Sequence, residues 1–136
     1  MRLKGKLCII TGATSGIGKR TAEVFAAQGA KLVIAGRRAD LGQALAKQLN
    51  CDFVQTDVTD EAQMKALVDF TMKKHGRIDC LFNNAGGPAP VGGIETIPAD
   101  GFDKAIAVNL RSVMLGMKLV APIMMKQKSG SIINNG

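Results

Sequence analysis

Eight residues, Thr11-Gly12-Ala13-Thr14-Ser15-Gly16-Ile17-Gly18, connect an apolar run to a segment with helical spacing. The run before them, Leu7-Cys8-Ile9-Ile10, is typical of a buried strand, so the order is strand, glycine-rich turn and helix. This order forms the first half of a dinucleotide-binding unit. Gly12 lets the chain leave the strand sharply, Gly16 lets backbone amides approach a pyrophosphate, and Gly18 lets the helix pack closely on the strand. The free amides and the positive dipole end at the helix start favour a bound phosphate.

The glycine pattern by itself is also compatible with a tight strand-to-helix turn that binds nothing. Its spacing is Gly-x-x-x-Gly-x-Gly, not the commoner Gly-x-Gly-x-x-Gly. The phosphate loop of nucleotide hydrolases is excluded by register, since that loop needs a glycine where Ala13 stands and a hydroxyl where Arg20 stands.

Length and composition indicate one folded domain. The chain has 136 residues, of which 46% are hydrophobic and 21% charged, values that are ordinary for a globular protein. Lysines and arginines interrupt the N-terminal residues, so no signal peptide is expected. No apolar run reaches the roughly 18 residues of a membrane span. The three cysteines, Cys8, Cys51 and Cys80, are odd in number and lie in or beside predicted strands. We expect a cytoplasmic protein with buried thiols and no membrane partner.

The net charge of +7 is compatible with binding to nucleic acid. The basic residues are scattered along the sequence, and the chain has no Tyr or Trp to stack on bases. We therefore expect solvated helix faces and no nucleic-acid partner. The single histidine, His75, precedes the helix-ending Gly76, so it is expected in a last helical turn, and no metal site is predicted.

Strand and helix patterns alternate along the chain. The first helix is predicted to end at Gly29, and a third, starting from an Asp60 cap, to end at Gly76. Apolar stripes on the second and third helices comprise Leu41, Ala44, Leu45 and Leu49, and Met64, Leu67, Val68 and Met72. Later strands are predicted at 31–35, 52–55, 78–82 and from 131, the third at a sheet edge because it is polar. The pattern predicts an α/β fold: a doubly wound parallel sheet of Rossmann type in three αβα layers, truncated after about five strands.

Two arginines follow the second predicted strand. Gly36 stands where an acidic residue normally binds the adenosine ribose of NAD, with Arg37 and Arg38 beside it. An arginine fork binds a 2′-phosphate well, so the sequence favours NADP over NAD, which stays possible. The arginines also fit a solvated pair. Asp40, with Gln43 three residues later, is interpreted as a helix N-cap.

Polar residues follow the third and fourth predicted strands. Asp57-Val58 can meet an adenine, although Asp57 is equally an ordinary loop residue. Asn83-Asn84-Ala85-Gly86 should face the glycine turn, because the first and fourth strands flank the point where strand order reverses. Its small residues leave room for a flat ring, and a polar turn without a ligand is the alternative.

An irregular loop over 88–98 precedes a long helix, predicted from an Asp100 cap to about Lys126. The helix is apolar on nearly every side, so one face should pack on the sheet and the other on a second subunit or on a further part of the chain. Pro122 is expected to kink it or end its regular part. Asn109 is its polar exception, and we expect this amide either to tie off backbone or to hold a water.

Together these motifs resemble the short-chain dehydrogenase/reductase family. The resemblance rests on Thr11 to Gly18, Asp57-Val58, Asn83 to Gly86, Val108-Asn109-Leu110 and Gly130 to Asn134. It implies a Rossmann-type sheet, NAD or NADP, and hydride transfer between nicotinamide and a carbonyl or alcohol substrate. By the same resemblance, Gly12, Gly16 and Gly18 frame the pyrophosphate and Thr11 ties the glycine turn to the fourth strand. Asp57 and Val58 meet the adenine, Asn83 to Gly86 approach the nicotinamide ribose, and Asn109 is the water-holding asparagine of a catalytic tetrad.

The remaining tetrad members, a serine and a Tyr/Lys pair, have no counterpart, since the chain has no tyrosine and the serine would follow Gly136. We expect residues 1–136 to be the NAD(P)-binding part of an enzyme, incomplete at its C-terminus and inactive alone. A non-catalytic dinucleotide-binding or interaction module is the alternative. The resemblance and the apolar helix both favour a homo-oligomer through residues 102–126.

Overall fold

The computed structural model describes residues 1–135, which form a five-stranded parallel sheet with helices on both faces. The strands are β1 (Leu7–Ile10), β2 (Lys31–Gly36), β3 (Asp52–Gln55), β4 (Cys80–Asn83) and β5 (Ser131–Asn134). The helices are α1 (Gly16–Ala27), α2 (Ala39–Leu49), α3 (Glu61–His75), α4 (Ala99–Ile106) and α5 (Ser112–Gln127), with a short 3-10 turn at Ile94–Thr96. A π-helical turn at Ala107–Arg111 joins α4 to α5.

The strand order β3-β2-β1-β4-β5 confirms the doubly wound sheet. Strands β2 and β3 are added on one side of β1, and β4 and β5 are added on the other side. Strand order therefore reverses between β1 and β4, which pair in parallel with Ile9 opposite Leu81. The polar β3 lies at an edge, as its sequence predicts. Because β1 is buried on both faces, it carries an unbroken apolar run.

Alternate strand residues feed two hydrophobic clusters, one on each face of the sheet. On one face, strand side chains pack with α3 and α5, through Leu7, Ile9, Val33, Leu81, Leu67 and Val120. On the other face they pack with α1 and α2, through Cys8, Ile10, Leu32, Ile34, Ala22 and Leu45. Each large aliphatic side chain buried in this way contributes about 1.5–3 kcal/mol. The two clusters hold the three layers together.

The predicted helix ends are partly confirmed. The carboxylate of Asp60 accepts hydrogen bonds from the amides of Ala62 and Gln63, so this residue caps α3. Gly29 and Gly76 have φ values of 86° and 74°, the left-handed geometry expected after a helix. The Asp40 cap is wrong, because α2 begins at Ala39, two residues earlier than that cap implies, and Arg38 occupies the cap position.

The apolar stripe predicted for α2 is also shifted. Leu41 is 41% exposed, and Ala44 is exposed as well. The helix presents Gly42 and Leu45 to the sheet, because the ring of Phe53 fills the space over Gly42; a Cβ there would lie 2.1 Å from a ring carbon. Helix α2 therefore meets the sheet at a glycine as well as at Leu45, whereas the predicted stripe contains only larger apolar residues.

Strand β4 begins two residues later than predicted. The amide of Ile78 donates to Oε1 of Gln127 (3.0 Å), and its carbonyl accepts from Nε2 of the same side chain (2.8 Å). A side chain at the end of α5 thus takes the place of a strand partner for Ile78.

The long helical segment differs from the prediction at its start and in its middle. It begins at Ala99 after Pro98, so Asp100 lies in the first turn and is not the cap. Its regular geometry is interrupted at Ala107–Arg111, whereas Pro122 lies inside α5 without ending it. By length and composition alone the helical span 99–127 is apolar enough to cross a membrane, with a mean hydropathy of 1.4 in its most apolar window. Long core helices of globular proteins meet the same criterion.

The three cysteines are free thiols. Cys8 is fully buried and the other two are half-buried, all in the cluster beside α1 and α2. Burial, followed by the nearby charge of Asp52, raises the pKa of Cys51 to about 11. This thiol is therefore neutral at physiological pH and serves as a small apolar side chain.

Asp79 ties the start of β4 to β1. Its buried carboxylate accepts from the amide of Leu7 (2.8 Å) and from Nε of Arg77 (2.9 Å). Burial alone raises the pKa of Asp79, but the bonds from Arg77 and Leu7 outweigh it, so the pKa lies below its ordinary value. The ionised carboxylate therefore stabilises the fold.

We expect Asp79→Asn to lower the free energy of unfolding at pH 7 by about 1–3 kcal/mol, because hydrogen bonds to a charged group are lost. The pKa is depressed in the folded state, so this stabilisation is complete above the unfolded pKa near 3.9 and is lost as pH falls through the folded value. Urea unfolding across this pH range measures it. Asp69→Asn, which breaks only an exposed helical ion pair, is the control. A wild-type advantage that persists undiminished in acid would contradict the assignment.

Candidate functional site

The hydroxyl of Thr11 joins the turns that follow β1 and β4. Its oxygen accepts from the amides of Asn84 (3.1 Å) and Ala85 (3.0 Å), and it donates to the carbonyl of Phe82 (3.4 Å). The link between the glycine turn and the fourth strand is therefore present in the structure. Both turns lie at the carboxyl end of the sheet, where ligands of open α/β sheets bind.

Two glycines allow this close approach. Gly12 has φ of 61°, and a Cβ on it would lie 2.7 Å from Cα of Ala85. A Cβ on Gly18 would lie 2.1 Å from the carbonyl oxygen of Gly12, so helix α1 packs directly on the turn. Nδ2 of Asn84 donates to the carbonyls of Thr11 and Gly12 (3.3 Å each). Any larger residue at these two glycines would push the turns apart.

The start of α1 is open, unlike the start of α3. Ser15 occupies the cap position but forms no side-chain cap bond, and the first turn carries no acidic residue. Gly16 has φ of 53°, and no atom lies within 4 Å of where its Cβ would be. This end of α1 is thus uncapped and borders open space, as a bound phosphate requires.

A cleft of about 820 Å³ lies over these turns. Of the predicted site residues, twelve line it: Gly12, Thr14, Ser15, Gly16, Ile17, Arg37, Arg38, Asp57, Val58, Asn84, Ala85 and Gly86. The other four, Thr11, Gly18, Asn83 and Asn109, are not among the lining residues and support the walls instead. The volume is within the range of ligand pockets.

Sequence reasoning missed part of the wall. The added lining residues include Thr56, Thr59, Gly87, Lys104, Ala105 and Val108. Helical spacing from Asn109 could have found Ala105, because a residue four positions away lies on the same side of a helix.

The two arginines lie at one end of the cleft. Nη2 of Arg38 donates to Oγ1 of Thr14 (3.1 Å), which holds this guanidinium beside the glycine turn. The carbonyl of Arg37 accepts from Nε2 of Gln55 (3.0 Å), and its own side chain is exposed. The geometry places both cations where β2 ends.

Asp57 is ionised and anchored in its loop. Oδ1 accepts from the amide (2.9 Å) and the hydroxyl (2.7 Å) of Thr59. These bonds, with a smaller effect of Arg37, hold the pKa of Asp57 below its ordinary value. The carboxylate therefore orders the loop after β3, and contact with an adenine stays a prediction.

Amides connect the ends of β4 and β5. Nδ2 of Asn83 donates to Oδ1 of Asn134 (3.0 Å), and Nδ2 of Asn135 donates to Oδ1 of Asn84 (3.0 Å). Gly116 of α5 makes room for Asn83, since a Cβ there would lie 2.4 Å from Oδ1. Asn83 is thus a buried positioning group beneath the cleft wall.

Asn109 lies in the π-helical turn and is exposed. Its Oδ1 accepts from the amide of Gly87 (3.1 Å), and its Nδ2 donates to the carbonyl of Gly87 (3.0 Å). The side chain therefore ties off the backbone of the loop after β4, which is the structural one of the two roles expected for it. π-helical turns occur frequently at functional sites.

Within residues 1–135, no group of three His, Cys, Asp or Glu side chains is placed to hold a metal ion. His75 ends α3, and its Nε2 lies 2.9 Å from Oδ2 of Asp52 at the opposite end of the sheet from the cleft.

Comparison with known proteins places the chain in a family. The family model described as short chain dehydrogenase matches residues 6–136. Tropinone reductase-like 2 of Erythroxylum coca is 44% identical over 138 residues, covering 97% of this chain and 50% of that protein. (+)-Borneol dehydrogenase 1 of Salvia officinalis is 42% identical over 139 residues, covering 97% of this chain and 52% of that protein.

The structural comparison agrees. The crystal structure of levodione reductase superposes with a TM-score of 0.92 at 37% identity, covering 98% of this chain and 54% of that one. The chain spans about half the length of the curated relatives it matches. From the matched family model and the shared fold, the chain belongs to the short-chain dehydrogenase family.

Proposed function

We propose that this chain supplies the cofactor-binding part of an NADP(H)-dependent oxidoreductase that acts on a carbonyl or alcohol of a small molecule. The junction of the glycine turn and the Asn84 turn over one cleft carries this proposal. Matched relatives are named as reductases and dehydrogenases, which supports the reaction class. The chain contains no tyrosine, so we assign proton transfer to groups outside residues 1–136 and expect no turnover from this chain alone.

The residues present fit a dinucleotide. The uncapped amides from Ser15 to Gly18 and the open space at Gly16 accommodate a pyrophosphate. The turn containing Asn84 to Gly86 borders the same cleft and offers small residues beside a ribose or ring. When bound, the nicotinamide donates or accepts the hydride. Asn109 is proposed as a positioning residue that keeps the loop at Gly87 in place.

The cation pair at the end of β2 supports a preference for NADP over NAD. Gly36 offers no carboxylate to a ribose hydroxyl, and its position leaves no room for one, since a Cβ there would lie 2.7 Å from Thr14. Arg37 and Arg38 both line the cleft. A 2′-phosphate at this position would receive charge-assisted hydrogen bonds.

We expect Arg37→Ala to weaken NADPH binding by about 1.5–3 kcal/mol, because hydrogen bonds to a charged group are removed. NADH binding should change little. Calorimetric titration of the 136-residue chain with each cofactor measures both. Arg2→Ala, at the opposite end of the sheet, is the matched control. Equal losses for NADPH and NADH would refute the preference, and failure of the wild-type chain to bind either would refute the dinucleotide site.

We also propose that the protein is a homo-oligomer that associates through the long helical segment. One exposed apolar stripe runs along it, made of Phe102, Ile106, Leu110, Met114 and Met117. Their spacing of three or four residues places them on one side. A continuous exposed apolar surface of this kind marks a protein contact.

We expect Leu110→Glu to shift the protein toward the monomer, because a carboxylate would be buried in the contact without a partner. Leu110 is 61% exposed in the single chain, so the variant should fold normally. Sedimentation velocity over a concentration series measures the shift. Val91→Glu is the control, since Val91 is fully exposed in the loop before the helix. The contact is assigned wrongly if both variants sediment like the wild type.

A further inference from the structure

Basic residues that are scattered along the sequence come together at one end of the fold. The amino end of the sheet, defined here as residues 1–6, 28–31, 47–52, 73–80 and 124–131, holds ten of the 18 Lys and Arg residues and two of the 11 Asp and Glu residues. The remainder of the chain holds eight basic and nine acidic residues. The net charge of +7 is therefore divided into +8 at this end and −1 elsewhere. All ten basic residues are exposed.

Four of these cations lie in the N-terminal segment or at the start of β2. The N-terminal segment packs against the connection between α1 and β2, with the amide of Leu3 donating to Gln28 (2.9 Å) and that of Lys31 donating to Lys6 (2.8 Å). These bonds hold Arg2, Lys4, Lys6 and Lys31 together. The expectation that solvated helix faces explain the charge is wrong for this group.

The other cations follow from the topology. In a parallel sheet with helical crossovers, each helix ends next to the amino end of the following strand. Lys47, Lys73, Lys74 and Lys126 therefore lie in the last turns of their helices, and Lys128 lies just beyond α5. Helix dipoles favour cations at these positions, which accounts for part of the cluster. The dipoles do not account for the four cations on the N-terminal side.

The two carboxylates at this end leave most of the positive charge uncompensated. Asp52 is paired with Lys74 and His75, and Asp79 with Arg77. Their side chains are only 20% and 5% exposed. Among residues 1–135, the other eight cations of this end have no acidic side chain within ion-pair distance. Like charges held together repel, so an anionic partner would lower their free energy.

Two large apolar side chains stand beside these cations. Met1 is 82% exposed in the N-terminal segment, and Met125 is 76% exposed in the last turns of α5. Surfaces that bind anionic bilayers combine Lys and Arg with apolar groups that enter the headgroup region. We propose that the amino end of the sheet is a docking surface for an anionic membrane, in place of the expectation from the sequence that the protein has no membrane partner.

The surface favours a bilayer over nucleic acid. Nucleic-acid backbones are bound closely through amides and helix N-termini, whereas the helices of this surface present their C-terminal ends. The residues that define it include no Phe, Tyr or Trp, and the nearby Phe70 ring lies under Lys74 at 5.9 Å, so the surface offers no stacking platform. Attraction to a charged plane needs neither close phosphate coordination nor stacking. The five strands span about 20 Å, which is broad enough for such a plane.

Docking in this way would leave the cleft free. The cleft opens at the carboxyl ends of β1 and β4, opposite the basic surface, so it would face the aqueous phase. A soluble dinucleotide could then enter while the protein is bound. The proposal does not depend on which cofactor the cleft prefers.

Sedimentation with vesicles tests the surface. We expect the chain to bind phosphatidylcholine vesicles that contain about one-third phosphatidylserine, and to bind pure phosphatidylcholine weakly. Binding should be strong near 0.1 M salt, where the Debye length is about 10 Å, and lost near 1 M, where it is about 3 Å. The triple variant Lys4→Gln, Lys6→Gln, Lys31→Gln should lower the partition coefficient about 100-fold, the effect of three basic residues near an anionic surface.

A matched control separates position from total charge. The variant Arg20→Gln, Lys65→Gln, Lys118→Gln removes three exposed cations from the rest of the chain and has the same net charge as the first variant. We expect it to bind vesicles within a few-fold of the wild type. Equal losses in both variants, or binding that ignores phosphatidylserine, would overturn the proposal. Tighter binding to duplex DNA than to the anionic vesicles at the same salt would overturn it in favour of nucleic acid. Circular dichroism establishes that each variant is folded.

Discussion

The Thr11 hydroxyl is the interaction on which the site depends. It accepts two amide hydrogen bonds from the turn after β4 and donates one to the carbonyl of Phe82 in that strand. These bonds fix two turns that are more than seventy residues apart in the sequence. Because the hydroxyl is buried, its loss would leave two backbone amides without acceptors. Gly12 and Gly18 allow the approach, and the hydrogen bonds of Thr11 set its distance.

The strands could be predicted because most are short apolar runs bounded by turn residues, as with Leu7–Ile10, and the polarity of β3 indicated its place at the edge. The facing turns could be predicted because a parallel sheet brings carboxyl ends of strands to one edge. Contacts that side chains make with distant elements could not be predicted. Gly42 faces the sheet because the Phe53 ring needs its space, and Ile78 leaves the strand because Gln127 pairs with its backbone. Neither partner is visible in local sequence spacing.

The residues of the cleft can likewise be divided into those that the sequence predicts and those that depend on contacts between distant elements. Its lining by Gly16, Arg38 and Asn84 was predictable from motifs at strand ends, whereas no motif in the sequence places Lys104 of the helical segment at the cleft. Asn109 was identified by its polarity within an apolar helix, but its partner, the backbone of Gly87, depends on the path of an irregular loop. The clustering of the basic residues depends on the topology of the fold. Cations separated by dozens of residues share one end of the fold because helices and strands alternate in direction.

The π-helical turn at Ala107–Arg111 changes the path of the exposed side chains along the helical segment. Phe102, Ile106, Leu110 and Met114 recur every four residues, and in a regular α-helix such a series winds by about 40° at each step, or about 120° over three steps. One extra residue in the wide turn removes about 100° of that rotation. The four side chains therefore follow a nearly straight line, along which a neighbouring helix can lie lengthwise.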